Sequence, residues 1–444
     1  MAKKVKVQNK IRRPEDETPL GYTRRSVYLK MDFSYNARTE ELQEINSDHS
    51  FEMITDDELK EINSALEDGD LCEVTERLNQ HLKEIENAPL SIAVTGESGS
   101  GKSTFINAIR GMDDEEEGSA QTGVVETTME PIPYTHQDYT NVRFWDLPGI
   151  GTPNFKAADY LESVQFRQYD FFIIMSSERF KQNDIDLAKE IQAMDKKFYF
   201  VRSKVDSDLH ASQVRRKKTY KEEAILKEIR DNCIKHLNDG GIAKPQVFLL
   251  SCLDLDKYDF HEMQNTLEKE LPEHKKHIFL ISLPNISLPI LEKKREALRK
   301  YIWMWSTLSC AVAAVPIPGL SIACDIGILI KAMKDYRSAF GLNKQSLERL
   351  ADKCGKDVSE LRSVIKSPLV IQEINKELVI KLLSKGVVGA LMVVEYAVSN
   401  IPVLGSMAAG GISFGTTYWM LHGFLKEIAD DAVRVLRKAL ESDV

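Results

Sequence analysis

The chain has 444 residues, 43% of them hydrophobic and 29% charged, and its formal net charge is −9. This length suffices for two or three domains with a buried core, and the acidic balance argues against general binding of nucleic acid. The six cysteines are scattered without a C-x-x-C pair, and the N-terminus lacks the apolar core of a secretion signal. We therefore expect a cytoplasmic protein with reduced thiols.

The first 50 residues begin with a surplus of basic side chains. Six lysines and arginines precede the first acidic residue, and no clear helical or strand period follows. We expect residues 1–50 to form a mobile basic arm, either a solubilising tail or a segment that touches anionic lipid. Residues 51–88 combine a capping box at 55–58 with apolar positions at helical spacing. They are predicted to form the N-terminal part of a helical domain.

A glycine-rich loop follows the first predicted strand. The motif G-x-x-x-x-G-K-[ST] is matched without a gap by Gly96, Glu97, Ser98, Gly99, Ser100, Gly101, Lys102 and Ser103, followed directly by Thr104. Such a loop turns its backbone N–H groups towards phosphate oxygens, and a helix that starts there adds its positive end. Lys102 would reach the β- and γ-phosphates, and the Ser103 hydroxyl would ligate Mg²⁺. Residues 96–104 are therefore predicted to bind a nucleotide.

The segment that would close over the metal ion, the first switch, spans residues 121–134. One of its threonines must approach Mg²⁺, and the candidates are Thr122, Thr127 and Thr128. Glu126 is the only carboxylate between the acidic run that ends at residue 117 and Glu130. It is either a solvated loop charge or a group that takes part in the reaction, and the residues alone do not separate these readings.

The sequence "VRFWDLPGIG" ends the next predicted strand and predicts a γ-phosphate sensor. Asp146 would hold Mg²⁺ through water, and the Gly149 N–H would meet the γ-phosphate. Many GTPases place a glutamine after this D-x-x-G to orient the attacking water, but here the residue is Ile150. Hydrolysis by one chain alone is therefore expected to be slow unless another group supplies the missing part.

The base is predicted to be guanine because of "FYFVRSKVDSD". A carboxylate at Asp206 would accept both the N1–H and the 2-amino protons of guanine, and adenine offers no such pair. The stem of Lys204 would lie along the base, while Ser203 replaces the usual Asn or Thr and keeps a hydroxyl. A later strand ends at Ser251 and Cys252, the usual place for a loop that touches the guanine O6. The predicted ligand is GTP or GDP with Mg²⁺.

Short β-rich runs alternate with helical stretches from residue 90 to about 259. This alternation predicts an α/β fold with a mostly parallel sheet whose binding loops lie at the carboxyl ends of the strands. We place a P-loop GTPase domain at 89–262 and a C-terminal helical domain at 263–444.

Two uncharged segments, 301–324 and 396–425, exceed the length of a membrane-spanning helix. Proline and glycine interrupt both in the middle, which leaves pieces closer in length to core helices. Three interpretations remain: buried helices, a hairpin that inserts shallowly into a membrane, and a full span.

The combined motifs resemble the immunity-related GTPases, the interferon-inducible p47-type family. The matching segments are "APLSIAVTGESGSGKSTFINAIRG", "DDEEEG", "TGVVETTMEPIPY", "FWDLPGIGTPNF", "YDFFIIMSSERFKQND", "FYFVRSKVDSD" and "FLISLPNIS". Lys102 places the chain with the G-K-S subgroup, which is similar to the effector class. The resemblance implies a Ras-like P-loop GTPase domain on an all-helical domain built from both chain ends.

The resemblance also implies partners and a site of action. Family members assemble in the GTP state, as homodimers or homo-oligomers through the GTPase domain or with related GTPases, and load onto intracellular membranes, notably vacuoles that enclose pathogens. The family's switch-one glutamate, here Glu126, is implicated in hydrolysis across a GTPase-domain dimer. The chain begins Met-Ala-Lys-Lys and lacks the M-G-x-x-x-[ST] motif of N-myristoylation, so membrane binding is expected to use other means.

Two functional hypotheses follow. The first is a GTP-hydrolysing protein whose nucleotide state drives self-assembly and recruitment from the cytoplasm to membranes. The second is a slow GTP-gated binding module that recruits partners without assembly-stimulated hydrolysis. Ile150 fits both, whereas Asp206 argues against a third hypothesis, an ATP-using kinase or transporter subunit.

Overall fold

The computed structural model describes residues 71–123, 128–151, 156–313, 320–382 and 411–441. All of them belong to one compact unit, Met53–Val444. The predicted basic arm (1–50), Glu126 and Thr127, and parts of both uncharged segments lie outside the described residues. The predicted domain boundaries remain predictions.

Six strands form one sheet in the order β2-β3-β1-β4-β5-β6. The strands are β1 (Leu90–Gly96), β2 (Ile132–Thr135), β3 (Val142–Asp146), β4 (Phe171–Ser176), β5 (Lys197–Arg202) and β6 (Val247–Leu249). All neighbours pair in parallel except the edge strand β2, which runs antiparallel to β3. All six residues of β4 are buried, as expected for a parallel strand covered on both faces. The predicted mostly parallel sheet is confirmed.

Helices cover the sheet and make up the rest of the described chain. In chain order they are α1 (Leu71–Glu86), α2 (Lys102–Ile109), α3 (Ala157–Ser163), α4 (Gln182–Ala193), α5 (Val205–Arg215), α6 (Glu222–Asp239), α7 (Phe260–Glu270), α8 (Glu273–Ser282), α9 (Leu288–Arg299), α10 (Ile302–Ala313), α11 (Leu320–Ala339), α12 (Lys344–Cys354), α13 (Val358–Ser363), α14 (Pro368–Ile371) and α15 (Gly411–Leu440). Helices α3, α4 and α6 pack against the sheet around the fully buried Phe172, Leu187 and Leu237.

The helices before and after the sheet pack on one another. Helix α1 buries Val74, Leu78, Leu82 and Ile85 on one face, at the spacing of an amphipathic helix, and packs against α8 and α10. The long helix α15 packs against α9 to α14. The helical part is therefore built from segments that precede the sheet and segments that follow it in the sequence, as the family resemblance implies.

Helix α10, which lies within the first uncharged segment, belongs to this helical core. Ten of the twelve residues of α10 are buried. Among them, the Ser309 hydroxyl bonds to Asp325 Oδ1 (2.5 Å) and Thr417 Oγ1 (3.0 Å). Buried polar groups that bond one another fit a packed protein interior. In the described part of the chain, no helix combines the length and apolar character needed to cross a membrane.

Candidate nucleotide-binding site

The phosphate loop connects the end of β1 to the start of α2. Gly96 has φ +139°, and a Cβ there would lie 2.0 Å from the Met175 carbonyl oxygen of the neighbouring strand. Gly101 precedes α2 with φ +90°. Both positions require glycine because a side chain would clash or strain the backbone. The loop tip, Ser98 and Gly99, is exposed, and Ser103 and Thr104 form the first turn of α2, where a helix favours anions.

Lys102 is buried beneath this loop. Its ammonium donates to the carbonyl oxygens of Gly96 (3.2 Å) and Glu97 (3.1 Å). The cation is therefore held inside the curve of the loop, the position from which it would neutralise β- and γ-phosphate charge. Ser100 is also buried, and within the described residues its hydroxyl has no hydrogen-bond partner.

Three oxygen-bearing side chains from separate segments meet beside Lys102. Asp146, at the end of β3, is 1% exposed. Its Oδ2 accepts from Ser103 (2.7 Å) and from Thr128 (3.2 Å). Burial raises the pKa of Asp146, against the lowering effects of the Ser103 hydrogen bond and the Lys102 charge. Thr122 is exposed, so of the two described candidate threonines it is Thr128 that is buried against Asp146.

These residues fit a magnesium ion. The second carboxylate oxygen of Asp146, Oδ1, is buried and has no hydrogen-bond partner in the part of the chain that the structure describes. Mg²⁺ prefers hard oxygen ligands, and one carboxylate, two hydroxyls and phosphate oxygens would supply them. Few protein groups are needed because the ion keeps several of its waters. Ser103, Thr128 and Asp146 would hold the ion. These assignments remain predictions.

The backbone of the γ-phosphate sensor is anchored on β1. Leu147 N donates to Val94 O (3.0 Å), and Ile150 N lies 3.4 Å from Gly96 O. Gly149 between them is half-buried. The side chain of Ile150 is fully buried in the core of the sheet. This side chain therefore points into the core, which the sequence alone does not indicate.

The guanine segment is joined directly to the phosphate loop. Ser203 is fully buried, and its hydroxyl donates to Ser100 O at 2.6 Å. Lys204 follows at φ +55° and precedes α5, which leaves Lys204 exposed and Asp206 half-buried on the first turn. Ser203 therefore links the guanine segment to the phosphate loop by a hydrogen bond.

The last predicted base contact, Ser251 and Cys252, follows β6. The Ser251 hydroxyl is buried, and no described residue forms a hydrogen bond with it. Burial, and then the negative charge of Asp206, raise the pKa of Cys252 to about 12, so this thiol stays protonated at neutral pH. Cys252 therefore lies close enough to Asp206 and Lys204 for both charges to act on its thiol.

Glu97 makes a contact that the motif does not predict. Its carboxylate pairs with Lys181 at 2.6 Å, just before α4. Asp184, which accepts from the Lys181 N–H at 2.8 Å, is buried, and burial raises its pKa to about 7. Asn183 of the same turn donates to Ile150 O at 2.6 Å. The start of α4 therefore contacts both the phosphate loop and the γ-phosphate sensor.

Sequence reasoning missed two further groups at the site. The Asn107 side chain of α2 donates to Ala120 O (2.9 Å) and accepts from Ala120 N (2.6 Å). These two bonds hold the residue that directly precedes the first switch. A polar residue on an otherwise apolar helix face was the available signal. Tyr160 of α3 bonds Thr95 and Pro148, and its partners lie far away in sequence, so no local pattern indicates it.

Comparison with known proteins agrees with this geometry. The family described as Interferon-inducible GTPase (IIGP) matches residues 55–439. Interferon-inducible GTPase 5 of Rattus norvegicus is 44% identical over 405 residues, which cover 91% of this chain and 87% of that protein. Interferon-gamma-inducible GTPase 10 of Mus musculus is 41% identical over 387 residues, with 87% and 90% covered. Interferon-inducible GTPase 1 of Mus musculus is 40% identical over 386 residues, with 87% and 91% covered. The chain therefore belongs to the interferon-inducible, or immunity-related, GTPase family, and it is a GTPase.

Proposed function

We propose that this GTPase couples its nucleotide state to self-assembly and to membrane association, as an innate-immunity effector that acts on pathogen-containing vacuoles. The observation that carries the assembly step is the burial of Ile150. A side chain that is fully buried in the sheet core cannot orient a water molecule at the γ-phosphate. The group that many GTPases carry at this position must therefore come from elsewhere.

The first switch offers a replacement. Thr128 is bonded to Asp146, and Glu126 stands two residues earlier in the chain. This short separation supports Glu126 as the group that acts on the γ-phosphate side of the site. In our proposal it acts across a dimer of GTPase domains, so that each chain completes the site of its partner.

The chain's own residues supply binding and charge. Lys102 neutralises phosphate charge, the Gly149 N–H donates to the γ-phosphate, and Asp206 selects guanine by accepting its N1–H and 2-amino protons. Ser103 and Thr128 orient towards the metal position beside Asp146. Mg²⁺, when bound, neutralises charge on the β- and γ-phosphate oxygens. Most of the catalysis in such a site is positioning and electrostatic stabilisation.

The alternative is a slow GTP-gated binding module that recruits partners and does not accelerate on assembly. The buried Ile150 is compatible with it, because a site without a water-orienting group holds GTP for longer. Only the dependence of the rate on protein concentration separates the two functions.

The test is GTP hydrolysis per molecule across a wide protein concentration range. We expect the specific rate of the wild type to rise with concentration, and that of Glu126→Ala to stay low and flat. Glu130→Ala is the matched control, because Glu130 is an exposed carboxylate of the same segment without a proposed role. A wild type whose rate is flat and slow would favour the binding module.

Membrane association has its own test. Co-sedimentation with anionic vesicles is expected to increase when the non-hydrolysable analogue guanosine 5′-(β,γ-imido)triphosphate (GMPPNP) replaces GDP. Deletion of residues 1–50 tests the contribution of the basic arm, since each basic charge near such a surface contributes about 1 kcal/mol. Equal sedimentation with both nucleotides would contradict nucleotide-controlled recruitment.

A further inference from the structure

A hydrogen-bonded chain leads from β1 to the γ-phosphate sensor through α3. The hydroxyl of Tyr160 donates to the Pro148 carbonyl oxygen at 3.0 Å and lies 2.8 Å from Thr95 Oγ1. A tyrosine hydroxyl has one proton, so when Tyr160 donates to Pro148 the Thr95 hydroxyl is the donor to Tyr160. The order of donation is therefore fixed from Thr95 to Tyr160 to Pro148.

The acceptor of this chain belongs to the peptide that carries the Gly149 N–H. In a trans peptide the C=O of one residue and the N–H of the next point in opposite directions. A donor that holds the Pro148 carbonyl from one side therefore aims the Gly149 N–H to the other side. The N–H is therefore oriented and, among the described residues, has no acceptor.

The neighbouring peptides do not fix this orientation by themselves. Leu147 N and Ile150 N are anchored on Val94 and Gly96, which holds the segment at both ends. The peptide between them can still rotate unless its carbonyl is held. Helix α3 can supply that constraint because Leu161, the residue after Tyr160, is fully buried in the core of the sheet.

We propose that Tyr160 is a positioning residue for γ-phosphate recognition, which it performs by holding the Pro148 carbonyl so that the Gly149 N–H faces the phosphate. Thr95 assists Tyr160, because its hydroxyl donates to the Tyr160 oxygen and leaves the Tyr160 proton for the Pro148 carbonyl. The inference rests on the proposed contact between Gly149 and the γ-phosphate, and it names the residues that prepare this contact. The inference also predicts that Tyr160 favours the binding of a nucleoside triphosphate over GDP, because GDP has no γ-phosphate to accept the Gly149 N–H.

The test compares the affinities of Tyr160→Phe for GMPPNP and for GDP, each measured with Mg²⁺ at protein concentrations where single chains bind. Phenylalanine keeps the ring and removes only the hydroxyl. A hydrogen bond to a charged group is worth enough to change affinity by about tenfold. We expect GMPPNP affinity to fall by about tenfold relative to wild type, and GDP affinity to stay within about twofold.

Tyr169→Phe is the matched control. Tyr169 is buried in the same core and donates its hydroxyl to Val164 O at 2.7 Å, so its removal leaves the Pro148 carbonyl bond in place. This substitution is expected to lower stability without changing the ratio of the two affinities. Thr95→Val should reproduce the direction of the Tyr160→Phe effect, and Thr95→Ser, which keeps the hydroxyl, should restore the wild-type ratio.

An unchanged ratio in Tyr160→Phe, a rise in the ratio in favour of GMPPNP, or an equal loss for both nucleotides would overturn the inference. Because binding is measured on single chains, such a result leaves the concentration dependence of hydrolysis as it was. Failure of this inference and failure of the proposed assembly are therefore distinguished by separate experiments.

Discussion

Replacing Ser203 by alanine removes one hydroxyl from the junction of the guanine segment, the phosphate loop and β4. Ser203 is 0% exposed, and its hydroxyl lies 2.6 Å from Ser100 O and 3.3 Å from Ser176 O. Ser176 O keeps a donor in the variant, because the Ser203 N–H also reaches it at 2.9 Å. The loss therefore falls on Ser100, in the loop that binds phosphate.

The expected magnitude follows from burial. Removing one partner of a buried hydrogen bond costs about 1–3 kcal/mol, since the remaining group has no water to replace it. We expect Ser203→Ala to lower the free energy of unfolding by an amount in this range. Part of this lost free energy is expected to weaken the loop shape that binds phosphate. Each 1.4 kcal/mol lost in this way should lower the affinity for GDP by about tenfold.

The assay is denaturant unfolding without nucleotide, together with a titration of a fluorescent GDP analogue. Ser203→Thr keeps the hydroxyl and is the rescue variant, because threonine is a usual residue at this position of the guanine motif. The reasoning is refuted if Ser203→Ala matches the wild type in both measurements. It is also refuted if alanine and threonine cause the same loss of affinity.

Two further predictions concern the base and the pH. Asp206→Asn is expected to weaken GTP binding by at least about tenfold and to strengthen binding of xanthosine triphosphate, which a competition titration measures; parallel losses for both nucleotides would contradict guanine readout. Burial, and then the charge of Lys294, lower the pKa of His136 to about 3. Between pH 6.5 and 3 the unfolded state then binds more protons at this histidine than the folded state does. The free energy of unfolding therefore decreases as the pH is lowered. From pH 7.5 to 5.5, His136→Gln should remove about 1.4 kcal/mol of this fall in unfolding free energy, and an unchanged slope would contradict it.

The backbone shape of the phosphate loop can be predicted from the sequence because its demands are local. Gly96 and Gly101 are needed where the backbone has positive φ, and the run of six buried residues in β4 has the composition of a parallel strand. Residues at the ends of such strands meet at one edge of the sheet. Asp146 and Asp206 could therefore be assigned to the same site before the fold was known.

Other features of the site depend on packing between distant segments. The choice of Thr128 over Thr122 depends on the path of the first switch, which no spacing rule gives. The contact of Tyr160 with Thr95 joins residues 65 positions apart. The inward direction of Ile150 depends on which face of the segment after β3 meets the core. Sequence identifies the missing glutamine, but only the structure shows that the isoleucine in its place is buried in the core.

Helix α15 spans 30 residues, about 45 Å at 1.5 Å per residue, and every helix it packs against precedes it in the chain. Synthesis from the N-terminus passes the last strand at Leu249 long before it reaches α15 at Gly411–Leu440. Domains fold as units during synthesis, so the sheet can close on the ribosome while α9 and α10 still lack their largest neighbour. In the nascent chain, the apolar faces that α9 and α10 bury against α15 therefore stay uncovered until synthesis reaches the end of the chain.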